Sequence, residues 1–392
     1  MTSSKARQAP SGAVCQLCGE RRLVARAIGA CGACLRAGSP EGQELALAAH
    51  ARSRAAIGLP GLRPEDPRTR ACEVCANRCQ PSEGELGVCG TRVAVNRVVK
   101  PLVGTAQAAA VSWRQDPLPT NCCARFVCPA ANECGYPRYS WTPGAEHGYR
   151  NLAVGYYGCT FDCLYCQSWQ ARTTDGAERK SATELAEAVD ERTSCICFFG
   201  GDPTPQMAHA LASAKLARKR AVKEGRILRI CFETNGAMNR ALLEKAADLA
   251  LESGGCIKFD LKAFHPAVHQ ALCGAANEAT LANFAWLAAR RHERPEVPLA
   301  IAATTLVPGY VDVEEVEPLS RYLAGLGTDI PYLLIGFFSC YQMSDLPNTS
   351  RQQARRCLKA AKAAGLTCVQ LDNAALLRDA PEESRRTRAR SG

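Results

Sequence analysis

NLAVGYYGCTFDCLYCQSW, residues 151–169, opens as an apolar run and breaks at a glycine into a loop with three cysteines. The first eight residues read as a strand buried on both faces, because they are apolar nearly throughout. Cys159, Cys163 and Cys166 follow in a C-x-x-x-C-x-x-C spacing. Three thiolates in so tight a loop can each bind one iron of a [4Fe–4S] cubane. The fourth iron then has no protein ligand, and that open position is where a small-molecule cofactor would chelate.

Downstream of this loop, short apolar runs alternate with helical patterns. CICFFGG, RILRICFETNG, GCIKFDLK, PLAIAATTLVPG and PYLLIGFF read as further strands, and LTCVQLD as a last one. Between them, SATELAEAVDER, QMAHALASAKLARKRAVKEG, RALLEKAADLALESG, VEEVEPLSRYLAGLG and SRQQARRCLKAAKAAG carry apolar residues at helical spacing. Alternating strand and helix predicts an α/β fold with a parallel sheet. GGDP, ETNG, DLK and TTLVPG fall at or just beyond the ends of successive strands. Barrels of this kind gather their active sites at the C-terminal strand ends. The expected fold is therefore a partial (β/α)6 TIM-like barrel with an N-terminal cysteine-rich metal-binding module.

The loop resembles the signature of the radical S-adenosylmethionine (SAM) superfamily, including the aromatic Tyr165 before the third cysteine. In that family the aromatic residue lies by the SAM adenine. FFGGDP is similar to the family's Gly-Gly-Glu-Pro stretch, which binds the SAM amino group largely through backbone; it supplies Gly200, Gly201, Asp202 and Pro203, with Asp202 in place of the usual Glu. CFETNG is similar to the Thr-Asn-Gly strand end and offers Glu233 and Asn235 to SAM. KFDLK sets Lys258, Asp260 and Lys262 at alternate positions on one strand face, suited to a polar substrate or the SAM carboxylate. TTLVPGYVD and the run through FFSCYQMSDLP resemble the activating-enzyme branch. Over roughly residues 72–375 the chain is similar to the radical SAM enzymes of the AmmeMemoRadiSam system, relatives of the pyruvate formate-lyase activating enzymes. CEVCANRCQPSEGELGVCGTR is similar to that group's cysteine-rich opening, whereas TNCCARFVCPAANECGYPRYSWTPG departs from its pattern. The resemblance implies reductive cleavage of SAM to a 5′-deoxyadenosyl radical that takes hydrogen from a protein or peptide. It also implies an electron donor such as flavodoxin or ferredoxin.

The chain has 392 residues and 23 cysteines. This is below the density of a disulfide scaffold, so clustered cysteines read as metal ligands in a reducing, cytoplasmic setting. Cys15, Cys18, Cys31 and Cys34 form two C-x-x-C knuckles, the pattern of a structural zinc ribbon. Cys72, Cys75, Cys79 and Cys89 suit either zinc or an auxiliary iron–sulfur cluster. Cys122, Cys123, Cys128 and Cys134 form a third group; adjacent side chains diverge in extended chain and rarely serve one metal comfortably, so the set reads as donating ligands to the second site or holding a separate metal, with a hydrogen-atom-donating or substrate-linking thiol as the other reading. Cys195, Cys197, Cys231 and Cys256 read as small core residues. Cys340 and His147 are candidates for the barrel mouth. The predicted organisation is a disordered leader over 1–12, zinc-ribbon-like knuckles over 13–37, a helix and linker over 38–70, a cysteine-rich accessory module over 71–148, the core barrel over 149–375 and a disordered basic tail over 376–392. The net charge of +10 leaves nucleic acid open as a partner, and with it modification of RNA or a small molecule. A non-catalytic zinc-ribbon scaffold is the rival outside enzymes. No uninterrupted apolar run of membrane-spanning length occurs, so no membrane partner is expected.

Overall fold

The computed structural model describes residues 13–62, 65–120 and 122–379. The leader predicted over 1–12, and the predicted tail from residue 380 on, lie outside them. The chain opens with a two-residue hairpin, β1 (Ala13–Val14) and β2 (Arg21–Arg22), then α1 (Gly32–Arg36) and α2 (Pro40–Ala55). A second hairpin pairs β3 (Arg92–Val95) with β4 (Val98–Pro101).

The main sheet has nine strands. β5 (Ala109–Pro117) runs antiparallel to β6 (Arg150–Tyr156), and the short β7 (Arg179–Lys180) pairs antiparallel with β5 at the sheet edge. From β6 the sheet continues parallel and in chain order through β8 (Thr193–Gly200), β9 (Arg229–Thr234), β10 (Ile257–Asp260), β11 (Ala300–Leu306), β12 (Tyr332–Gly336) and β13 (Val369–Asp372). Helices make the crossovers: α3 (Ala182–Glu187) before β8, α4 (Met207–Lys223), α5 (Arg240–Ser253), the pair α6 (Pro266–Cys273) and α7 (Glu278–Ala289), α8 (Val313–Leu326) and α9 (Arg351–Ala363). The architecture is a partial TIM-like barrel, six strands from β6 to β12 extended by the four-residue β13. β13 and β6 are not neighbours, so the sheet does not close. No helix among the described residues is long and apolar enough to cross a membrane.

Local chemistry explains the elements. Ser181 and Glu184 form a capping box at α3, and Ser350 caps α9. α5 ends at Gly254 with φ of +79°, a left-handed turn that glycine adopts at little cost. The largest core cluster lies between the parallel strands and their helices and includes Phe198, Phe232, Phe259 and Phe284. A second cluster joins α1 and α2 to α6, the cysteine loop and the turn after β11.

Two features were not legible beforehand. β5 lies within the stretch predicted as a separate accessory module, yet it belongs to the main sheet. Residues 118–120 and 122–149 fold against the N-terminal strand ends, where Leu118 N–H donates to Tyr149 O (3.0 Å). Arg229 and Glu146, both buried, lock this floor plug in place at 2.6 Å, and Ser194 donates to the same carboxylate.

Candidate active site

The cysteine loop leaves β6 at Tyr156 and crosses the C-terminal end of the sheet. Its backbone is pinned from outside: Asp162 N–H donates to Cys273 O (2.8 Å) and Leu164 N–H to Leu272 O (2.9 Å), at the end of α6. The Asp162 carboxylate is fully buried, caged by two guanidinium cations and a histidine whose imidazole burial pushes down to about 4. His50 Nδ1 lies 2.7 Å away, Arg54 Nη1 3.9 Å away, and the Arg172 guanidinium is in direct contact. His50 and Arg54 come from α2, so the helix predicted as part of a connecting segment braces the loop.

Cys159, Cys163 and Cys166 line one cavity of about 240 Å³. Tyr165, Gly200, Gly201, Asp202, Glu233, Asn235, Lys258, Asp260 and Lys262 line it too, whereas Pro203 sits behind it, ahead of the 3-10 turn Thr204–Gln206. Burial pushes the Cys159 thiol well up and the Cys166 thiol up to about 12. The Cys163 thiol is held down by a hydrogen bond from Cys273. Three cysteines lining one cavity fit a cubane, which they would hold through three of its irons, leaving the fourth without a protein ligand.

The strand ends that meet the loop are tied to it through backbone. Gly201 N–H donates to Tyr156 O (2.8 Å) and Asp202 N–H to Gly158 O (3.1 Å). Gly200 has φ of +109°, and a Cβ there would stand 2.4 Å from Tyr156 N. A Cβ on Gly201 would stand 2.4 Å from Gly158 O, a backbone atom of the cysteine loop. Gly201→Ala should therefore force the loop off β8; the expected result is poor iron retention and loss of SAM binding, read by iron analysis and equilibrium dialysis. Full iron and unchanged SAM affinity would count against this packing role.

Asp202, the departure from the usual Glu, directs its carboxylate inward. It accepts from Thr204 N (2.7 Å), Asn235 N (2.7 Å) and Thr234 Oγ1 (3.0 Å), which joins the ends of β8 and β9. Burial pushes this carboxyl up. Asn235 Nδ2 donates to Thr160 Oγ1 (2.7 Å) and reaches Cys159 Sγ at 3.8 Å. Along the opposite wall, Glu233, Lys258, Asp260 and Lys262 form a chain of ion pairs at 3.3, 2.9 and 2.8 Å. Burial would raise the Asp260 carboxyl, but Lys258 and Lys262 outweigh it and hold it below the usual range. Lys262 Nζ stands 6.0 Å from the centre of the Tyr165 ring.

Sequence reasoning did not single out Arg172, Phe199, Thr305 or Ile335 as cavity-lining residues. Thr305 and Ile335 sit at the ends of β11 and β12, so the strand-end rule would have found them; Arg172 carries no such local signal. Cys340 donates to Tyr165 O (3.2 Å), behind the cavity wall. His147 is exposed in the floor plug, away from the mouth.

The other cysteine groups fall around this centre. The Sγ atoms of Cys15, Cys18, Cys31 and Cys34 lie within 4.8 Å of one another, near the roughly 3.8 Å expected of tetrahedral zinc thiolates. Their ribbon docks on the turn after β11: Tyr310 Oη donates to Ala30 O and accepts from Ala25 N, both at 2.9 Å. Cys72, Cys75, Cys79 and Cys89 line one small pocket together with Thr160 of the cysteine loop. Asn77 Nδ2 donates to Thr160 O (2.6 Å), so this module abuts the loop directly.

Residues 154–323 match the family model described as the radical SAM superfamily. They form a radical SAM domain. The chain thus carries a radical SAM domain, and that domain indicates an enzyme. Among solved structures, the chain is similar to a domain of pyruvate-formate lyase-activating enzyme from Bacteroides vulgatus, at 17% identity and TM-score 0.36, over 45% of this chain and 98% of that one. It is also similar to Streptococcus suis SuiB bound to S-adenosylmethionine, at 12% identity and TM-score 0.43, over 58% of this chain and 50% of that one. SuiB bound to precursor peptide SuiA gives 12% identity and TM-score 0.42, over 56% and 47%. The chain thus spans about half the length of SuiB. No curated protein matches the chain.

Beside the radical SAM domain's cysteine loop, His269 packs edge-on to Phe161 with ring centres 5.3 Å apart. Its Nδ1–H donates to Ala275 O (2.7 Å), its Nε2 has no partner among the described residues, and burial pushes the imidazole down to about 4. The unfolded chain, with an ordinary histidine near 6.5, binds this proton more readily than the folded one. Stability from this group is full above 6.5 and is lost as pH falls toward 4. Between pH 7 and pH 5 the expected loss is about 2 kcal/mol. Burial pushes His50 down to about 4 as well, so the gap between urea midpoints at the two pH values should narrow in His269→Gln without vanishing; an unchanged gap would discard the assignment.

Proposed function

We propose that this chain abstracts hydrogen from a protein or peptide substrate, as an activating-enzyme-like radical SAM enzyme. The observation that carries the radical reading is the convergence of Cys159, Cys163 and Cys166 on one polar cavity at the strand ends. When bound there, a [4Fe–4S] cluster, reduced by a donor such as flavodoxin or ferredoxin, supplies the electron that cleaves SAM into methionine and the 5′-deoxyadenosyl radical.

The chain's own residues set up that event. Gly200 and Gly201 leave backbone close to the cavity, Asn235 stands between the loop and β9, and Tyr165 flanks the space with Lys262. Lys258 and Lys262 hold Asp260 ionised, so the wall keeps a fixed polar pattern for the SAM amino acid end or the substrate. The macromolecular substrate is supported by the resemblance of TTLVPGYVD and FFSCYQMSDLP to the activating-enzyme branch. The sheet does not close, and the ribbon seats on the turn after β11. In this reading the ribbon holds zinc, and Cys72, Cys75, Cys79 and Cys89 hold zinc or an auxiliary cluster.

The test is anaerobic SAM cleavage with a strong reductant, followed as 5′-deoxyadenosine. Addition of a cellular peptide fraction should stimulate cleavage, and an RNA or small-molecule fraction should not. Stimulation by either of the latter alone would move the substrate to that class.

A further inference from the structure

The floor plug carries thiols that the radical reading does not use. Extended chain would send neighbouring side chains apart, but the chain turns immediately after Cys122: Arg125 N–H donates to Cys122 O (3.0 Å) and Val127 N–H to Ala124 O (2.9 Å). Both thiols therefore reach the same carboxylate oxygen. Cys123 Sγ lies 2.9 Å from Glu233 Oε1, and Cys122 Sγ 3.9 Å from it. The three ligand atoms lie within 4.8 Å of one another. Cys197 Sγ, from β8, approaches the same oxygen at 3.8 Å.

We propose that Cys122, Cys123 and Glu233 hold a single zinc ion at the inner end of the SAM cavity. Two sulfurs select a thiophilic cation, and zinc accepts thiolate and carboxylate together. Three protein ligands leave a fourth position, the arrangement of zinc sites that bind a water or substrate atom. Glu233 lines the SAM cavity, so the open position adjoins it. Cys197 is near enough to close that position when no substrate donor is present. Binding displaces the two thiol protons to solvent and changes no oxidation state. The other carboxylate oxygen, Oε2, is held by Lys258 Nζ at 3.3 Å, which orients Glu233 toward the metal. The ion pairs from Lys258 through Asp260 to Lys262 then connect this site to the cysteine loop's side of the cavity.

The full-length protein, purified without oxygen, is analysed for zinc and iron. Cys122→Ser/Cys123→Ser should lose about one zinc per chain and keep all its iron. Glu233→Gln should surrender that zinc to a chelator that leaves the wild type loaded. Cys128→Ser, in the same plug but outside the ligand set, should keep it, which separates loss of a ligand from disorder of the plug. Titration with Co²⁺ after zinc removal should give thiolate-to-cobalt absorption that is absent from the double variant. Unchanged zinc in the double variant overturns the proposal. Loss of iron instead of zinc also overturns it, because the thiols would then serve a cluster.

Discussion

Replacing Cys159, Cys163 and Cys166 together with alanine is expected to remove about four irons per chain, with their visible absorbance, and to abolish SAM cleavage. Among the described residues, these three are the cysteines that line the SAM cavity. Zinc should be unaffected, because Cys15, Cys18, Cys31 and Cys34 gather at the separate ribbon. Iron that survives in the triple variant would belong to Cys72, Cys75, Cys79 and Cys89 and would make that pocket a cluster site. A wild type that carries zinc but no iron, even after reconstitution, would sink the radical reading and favour a binding scaffold.

The second large effect is expected at Asp162, which never touches the cavity. Asp162→Asn keeps the shape and removes the one negative charge among His50, Arg54 and Arg172. Breaking a buried ion pair from one side leaves its partners uncompensated, at a cost of about 3–5 kcal/mol. The loop carries the cluster cysteines on either side of Asp162, so iron retention should fall with stability. A second change, Arg172→Met, removes one stranded cation and should restore part of the loss. Urea unfolding of the three variants checks this; a loss under about 1 kcal/mol for Asp162→Asn would mean the cage is no stronger than a surface pair.

The barrel was readable in advance because its parallel strands are apolar on both faces and each ends in a polar or glycine motif. The same rule placed Gly200, Glu233, Asn235 and Asp260 around one opening. What could not be read was long-range pairing. His50 and Asp162 are 112 residues apart, and nothing in the alanine-rich α2 marks His50 as more than a surface residue. The plug was opaque for a different reason. Residues 118–149 lack either hydrophobic period, and their order comes from contacts such as Arg229–Glu146 that join distant segments. The expectation that Cys122 and Cys123 diverge failed on a single turn, held by Arg125 N–H to Cys122 O, Val127 N–H to Ala124 O and Ala124 N–H to Cys122 Sγ.

The bracing of the cysteine loop by α2 bears on how this protein can be cut and recombined. A chimera that grafts a foreign N-terminal region onto residue 71 would leave Asp162 without His50 and Arg54, and the barrel would inherit a destabilised cofactor loop. The N-terminal region is thus no detachable cassette, and ancestry or engineering must carry α2 and the loop as one heritable unit. A split protein should regain iron only when the fragment bearing α2 is supplied in trans.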